Sequence, residues 1–362
     1  MSTYQGSLIH EDYHQLVNKK YILFNNFANN QIQPSSIDLT LSDECYEIGA
    51  SFLSPSKNVR EDLKNIMIKK ISLDKRHIFE KNKIYLVKLN EEVNLPDYIF
   101  GFCNPKSSTG RLDIFCRTIF DFSNEHEKIP YGYNGNIFLE ITSRAFDIQL
   151  NKGDSLNQMR LINLKQNHLI DSELLKYHKK DPIIFNNIND ILIPQISNGL
   201  KISVDLSSNN SIIAYRAKKN SPILIFNAIK KHEIDDFWET IYYNDNELMI
   251  IPGEFYILKS KEKIKIPKTM AGEMVPYDTA IGDFRAHYAG FFDPGFGGNT
   301  GSHAVLEVRT NEVSFTLEDG QTIATLLYES LNKIPKFTYG SDINSNYQNQ
   351  ELALSKHFKV IS

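Results

Sequence analysis

The chain has 362 residues, 41% of them hydrophobic and 23% charged, and a formal net charge of −4. That is a soluble globular composition with room for two domains, and it argues against a broad basic surface for duplex nucleic acid. No apolar run is long enough to span a bilayer and Met1–Asn18 lacks an apolar signal core, so a cytoplasmic protein with no membrane partner is expected; Cys45, Cys103 and Cys116 are read as reduced thiols.

In chain order, the first half offers IDL from Ile37 as a strand and Val59–Lys70 as a helix. The strand IYLVKL from Ile84 runs on to a Leu-Pro turn and Gly101. Then come the polar segment NPKSSTGR (Asn104–Arg111), the strand NIFLEI ending at Ile141, and a glycine turn KGDSL. A second helix is predicted over Asp171–Lys180, near a junction where strand patterning weakens, around residues 180–198. The second half repeats the order: VDL from Val204, FYILKS from Phe255 with an Ile-Pro turn and Gly272, HAVLEV ending at Val308, and the turn EDGQT.

These halves are copies. Tyr85/Tyr256, Lys88/Lys259, Pro96/Pro267 and Gly101/Gly272 coincide at a shift of 171 positions, and Glu140/Glu307 and Gly153/Gly320 at 167. Ordered matches over such a distance predict a duplicated domain. Short strands with turn punctuation make each copy mostly β, a barrel or sandwich with a few short helices. The boundaries expected are 1–180 and 181–362.

Four features carry chemistry. Lys106, Ser107, Ser108, Thr109, Gly110 and Arg111 combine two cations, hydroxyls and a glycine, as a polyphosphate cradle requires, though the segment is not a Walker loop and a polar surface turn would look the same. Glu140 and Glu307 each sit in an apolar run. A buried carboxylate there could take and give a proton near neutral pH; facing water, it would be an ordinary surface glutamate. AGFFDPGFGG (Ala289–Gly298) could turn Asp293 into a pocket with Phe296 as a wall for a base, or be a plain hairpin. In the tail, Tyr339, Asn346, Tyr347 and Gln350 could read a base edge or phosphates, and SKHF from Ser355 could belong to a lid.

In this order the features resemble the dCTP deaminase family in its double-length form, whose fold is dUTPase-like. IQPSSIDLTL (Ile32–Leu41) resembles the family's opening strand. PKSSTGR resembles its phosphate loop, with Lys106 in place of the first arginine, and AGFFDPGFG followed by AVLEV resembles its Ala-x-x-x-Asp-Pro-Gly turn and Leu-Glu strand. The resemblance implies dCTP as substrate and dUTP and ammonia as products. It also implies water activated by a glutamate with help from Ser107, Mg2+ carried on the triphosphate, and a homo-oligomer with sites between subunits. Zinc is not expected, because the His-x-Glu and Pro-Cys-x-x-Cys signature is absent.

Neither copy carries the full set. The first has Pro130 where the turn aspartate belongs, and the second has PYDT (Pro276–Thr279) in place of the phosphate loop. The expectation is a composite site: Lys106, Ser107, Ser108 and Arg111 on the phosphates, and Ala289, Asp293, Glu307 and the tail on the nucleoside. A first-copy site using Glu140, a bifunctional enzyme that cleaves on to dUMP, and a non-catalytic nucleotide-binding protein remain alternatives.

Overall fold

A computed structural model describes residues 5–24, 27–207, 212–243, 246–276, 284–285, 290–310, 312–340 and 350–360. Strands dominate, and the duplication is written into their register. In the first half the strand Ile84–Asn94 pairs antiparallel with Asn134–Ser143, setting Leu86 against Glu140. In the second, Tyr256–Ile264 pairs with Ser302–Thr310, setting Ile257 against Glu307. The other sheet of each half repeats the same logic: Gly101 faces Leu161, and Gly272 faces Tyr328. Glycine is required at 101, where a Cβ would stand 2.4 Å from the Arg160 carbonyl oxygen.

Each half stacks two main antiparallel sheets over an apolar interior, because alternate residues of these strands are apolar and must be covered. One core gathers Val87, Leu139 and Ile141 of the first half. It also takes in Tyr215, Phe237, Trp238 and Phe358 from the second half. A second core, with Leu258, Leu306 and Leu326, belongs to the second half, and a smaller cluster around Leu63, Leu86 and Phe138 lies in the first. The halves also share a small sheet, in which Leu224–Ile225 runs parallel to Ile148–Leu150.

The helix Asp171–Lys180 forms as expected. A helix not anticipated from the sequence, His10–Asn18, comes first in the chain. The helix expected over 59–70 is shorter than predicted and ends at Ile66. Its start is fixed by the Asn58 side chain, which accepts a bond from the Glu61 N–H at 3.0 Å. Residues Met67–Ser72 instead form a strand against Leu41–Ile48, with Lys69 opposite Glu47 and Lys70 opposite Tyr46. Cross-strand pairing overrides local helical spacing there. Cys45, Cys103 and Cys116 are free and buried. Among the described residues no helix is long and apolar enough to cross a membrane.

Candidate active site

The strand Ile99–Pro105 delivers the segment 106–111 into a single short helical turn, Ser107–Gly110. The turn is closed by bonds from the Thr109 and Gly110 N–H groups to the Lys106 carbonyl, at 2.8 and 3.0 Å. Ser107, Ser108, Lys106 and Arg111 line a cavity of about 700 Å³ between the halves. Thr109 is fully buried behind them and is not part of the wall. Lys106 forms an ion pair with Asp38. Arg111 donates to the Gln350 side-chain oxygen at 2.8 Å and to the Ala353 carbonyl at 3.0 Å.

The opposite wall belongs to the second half. In Ser302–Thr310, Ala304, Leu306 and Val308 point into the core, so strand alternation turns Val305 and Glu307 to the other side. That side is the cavity. The sequence allows two readings of Glu307, buried or solvated. It faces away from the apolar core and is nevertheless only 2% exposed, because the first half covers it. Gly110 permits this approach: a Cβ there would lie 2.3–2.6 Å from the Glu307 carboxyl atoms. The buried glutamate of one copy thus rests on the backbone of the 106–111 segment of the other.

Asp293 follows the strand Phe291–Phe292, which pairs with Gly272 and Glu273. It accepts a bond from the Ser35 hydroxyl at 2.7 Å and lies 3.9 Å from the Arg160 guanidinium. Burial raises its carboxyl above the usual aspartate range, with Arg160 and Ser35 opposing. Phe296 sits edge-on to Phe292 at 5.0 Å and 5.8 Å from Tyr339, whose N–H donates to the Pro294 carbonyl at 2.8 Å. All three of these aromatic rings line the cavity. Gln350 also lines it, and its side-chain nitrogen donates to the His303 carbonyl at 2.9 Å.

Of the expected site residues, Lys106, Ser107, Ser108, Arg111, Asp293, Phe296, Glu307, Tyr339 and Gln350 therefore meet around one cavity, with Gly110 beneath Glu307. Glu140 stays apart, 3% exposed and outside that wall; it accepts a bond from Arg117 at 3.1 Å. Ala289, Asn346 and Tyr347 lie outside the described residues, as does Tyr277–Thr279 of the PYDT segment.

Four contributors are not assigned a site role by the sequence. Ser35 and Asp38 stand in the IQPSSIDLTL segment, where only the family resemblance marks them. Lys356 lies in SKHF. Arg160, 1% exposed, gives no signal, since a basic residue in a strand usually faces water. Here it donates to Glu329 at 2.8 Å and Gly272 O at 3.1 Å, and to Ser35 Oγ and Phe292 O, both at 3.2 Å. It is packed on the Phe291 ring at 4.2 Å, so one first-half side chain fixes the second-half turn carrying Asp293. Among the described residues no group of three His, Cys, Asp or Glu is placed to hold a metal ion.

A hydroxyl- and cation-lined loop with a buried carboxylate packed against it, both on the wall of a nucleotide-sized cavity, fits a nucleotide site. Comparison with known proteins gives it a family. The chain belongs to the dCTP deaminases: the family model for the N-terminal domain of 2'-deoxycytidine 5'-triphosphate deaminase matches residues 4–165, and that for the C-terminal domain matches 170–358. A crystal structure of 2'-deoxycytidine 5'-triphosphate deaminase from Agrobacterium tumefaciens superposes with a TM-score of 0.88. It is 37% identical and covers 94% of this chain and 100% of that one. A "dCTP deaminase, dUMP-forming" of Persephonella marina is 32% identical over 129 residues, 35% of this chain and 66% of that protein. One of the same description from Halobacterium salinarum is 26% identical over 154 residues, 41% of this chain and 75% of that protein. The aligned stretch is a larger share of each relative than of this chain.

Proposed function

We propose that the chain hydrolyses dCTP to dUTP and ammonia at one composite site per chain, with Glu307 as the proton-transfer group. The observation that carries this reading is the contact of the Glu307 carboxylate with Gly110 of the phosphate loop, inside a cavity lined by both halves. Lys106, Arg111 and the Ser107 and Ser108 hydroxyls bind the triphosphate. Asp293 and the Phe292–Phe296–Tyr339 cluster hold the nucleoside, so that cytosine C4 faces Glu307.

Glu307 takes a proton from a water held with the help of Ser107. The resulting hydroxide adds to C4, and the proton passes to N3. Glu307 then carries the C4 hydroxyl proton to the amino group, the C4–N bond breaks with its electron pair going to nitrogen, and ammonia leaves as the C4 carbonyl of uracil forms. A desolvated carboxylate suits this shuttle because the same group must act first as base and then as acid. The chain lacks the zinc-deaminase signature, and the proposal assigns water activation to Glu307 alone. Mg2+ would ride on the triphosphate and neutralise its charge. The donor set fits that role: among the described residues, Asp38 is the carboxylate beside the loop cations on the cavity wall, and Mg2+ typically takes one or two carboxylates plus substrate phosphates.

A second reading is further cleavage of dUTP to dUMP, favoured by the description "dUMP-forming" that the relatives carry. The test is incubation of zinc-chelated protein with dCTP and Mg2+, following ammonia and nucleotides together. Ammonia with intact dUTP supports the first reading, and dUMP with pyrophosphate the second. Tight dCTP binding with no ammonia would refute both and leave a non-catalytic nucleotide-binding protein.

A further inference from the structure

The phosphate side of the cavity carries more cationic character than the loop alone supplies. Lys106 is tied to Asp38, and Arg111 holds the tail through Gln350 and Ala353. Lys356 stands on the same wall, brought there by the other end of the tail. Its backbone is clamped from both sides. The Ser355 hydroxyl donates to the Ser108 carbonyl at 2.8 Å, within the phosphate loop itself. The Lys230 N–H donates to the Lys356 carbonyl at 3.0 Å. His357 is fully buried, 4.7 Å from the Phe226 ring, and Phe358 packs 5.8 Å from Trp238.

We propose that Lys356 is a third phosphate-binding cation of the nucleotide site, held in place by the docked tail beside Lys106 and Arg111. The inference rests on the nucleotide reading above and adds a residue to it. A polyanion needs cations that are pre-positioned, and a lysine whose backbone is already held at the cavity loses less freedom on binding. Among the described residues, the charged or titratable groups near Lys356 include Lys106, Asp38 and His357. Burial, and next the repulsion of Lys106, hold its ammonium below the ordinary lysine value, with Asp38 opposing. An arriving triphosphate offsets the repulsion between the two ammonium groups. The tail thereby couples substrate binding to its own docking: the Arg111 and Ser355 contacts seat it, and Lys356 senses the phosphates.

The experiment is a calorimetric titration of Mg·dCTP, dCMP and inorganic tripolyphosphate into E307Q, which keeps ligand from turning over, and into E307Q/K356Q. One lost charge-assisted contact predicts roughly 10- to 100-fold weaker binding of dCTP and tripolyphosphate. The effect on dCMP should be far smaller, and K356R should restore affinity. Trp238 is the single tryptophan, so its emission reports whether the tail stays docked. Equal dCTP affinity in the two proteins overturns the inference alone. A loss that K356R fails to restore, or that comes with changed Trp238 emission, also overturns it by making Lys356 an anchor of the tail. Failure of E307Q itself to bind dCTP overturns the nucleotide reading along with it.

Discussion

Replacing each duplicated glutamate by glutamine separates the composite site from a first-copy site. Glu307→Gln keeps volume and hydrogen-bonding capacity but removes the proton acceptor that rests against Gly110, where a Cβ would come within 2.3–2.6 Å of the carboxyl atoms. General-base catalysis contributes about 10²–10⁴-fold, or about 3–5 kcal/mol of barrier, so kcat for ammonia release should fall by at least that factor. Affinity for dCTP should change little, because the loop cations remain. Glu140→Gln touches no cavity wall. It weakens one bond to Arg117, whose side chain is 30% exposed, so the loss is at most about 1 kcal/mol. That corresponds to a fall in Tm of about 2–4 °C for a domain of this size, with kcat within about twofold. Steady-state ammonia release and calorimetry on both variants decide it. Activity that survives Glu307→Gln, or is abolished by Glu140→Gln at unchanged Tm, refutes the composite assignment.

Other consequences follow from burial. Arg160→Met leaves Glu329 buried without its 2.8 Å partner and frees the Asp293 turn; breaking a buried pair costs about 3–5 kcal/mol, so Tm should drop by roughly 10 °C, and an unchanged Tm would deny Arg160 its role as a joint. Burial pushes Glu127 up to about 8 in the folded chain. Its folded value lies above its unfolded one, so its favourable contribution is complete below about pH 4.5 and is lost as pH rises towards 8. Glu127→Gln should therefore raise stability at pH 8 by up to about 4 kcal/mol and leave it unchanged near pH 4, as denaturant titrations at the two pH values can check. His357 runs the other way: burial, then Lys356 and His232, lower it to about 3. Its contribution is present above about pH 6.5 and is lost as pH falls towards 3, so acid should undock the tail, and His357→Phe should flatten the Trp238 emission profile over that range.

The fold is legible because a duplicated sequence repeats its own constraints. Gly101 and Gly272, or Glu140 and Glu307, can be matched without any knowledge of what they pair with, and the strands place both glutamates opposite equivalent partners, Leu86 and Ile257. The helix starting at Val59 reads too long from the sequence for a physical reason. Residues 67–70 keep a helical spacing, yet their partners, Glu47 and Tyr46, are more than twenty residues away in the chain and exert their pull only after folding. Arg160 is silent for a related reason. Its burial depends on Glu329 and Phe291, which lie in the other half, and no local pattern marks a strand position as the place where two copies meet.

The same geometry explains how each copy could lose part of its set. Glu307 is covered by Gly110 of the first half, and the phosphate loop at 106–111 faces the second half, so each half presents one side of a cavity rather than a whole site. Once both sides sit in one chain, a single complete pairing suffices for nucleotide chemistry. The phosphate loop of the second copy and the turn aspartate of the first are then released from that requirement. The sequence departs in those places: PYDT at 276–279 and Pro130. Glu140 persists, but with Arg117 at 3.1 Å instead of a loop glycine. On this argument, restoring an aspartate at position 130 should not create activity in an E307Q chain, because Glu140 would still lack a phosphate loop opposite it. Ammonia release from P130D/E307Q would show that the first copy can complete a site by itself, and the division of labour between the halves would have to be abandoned.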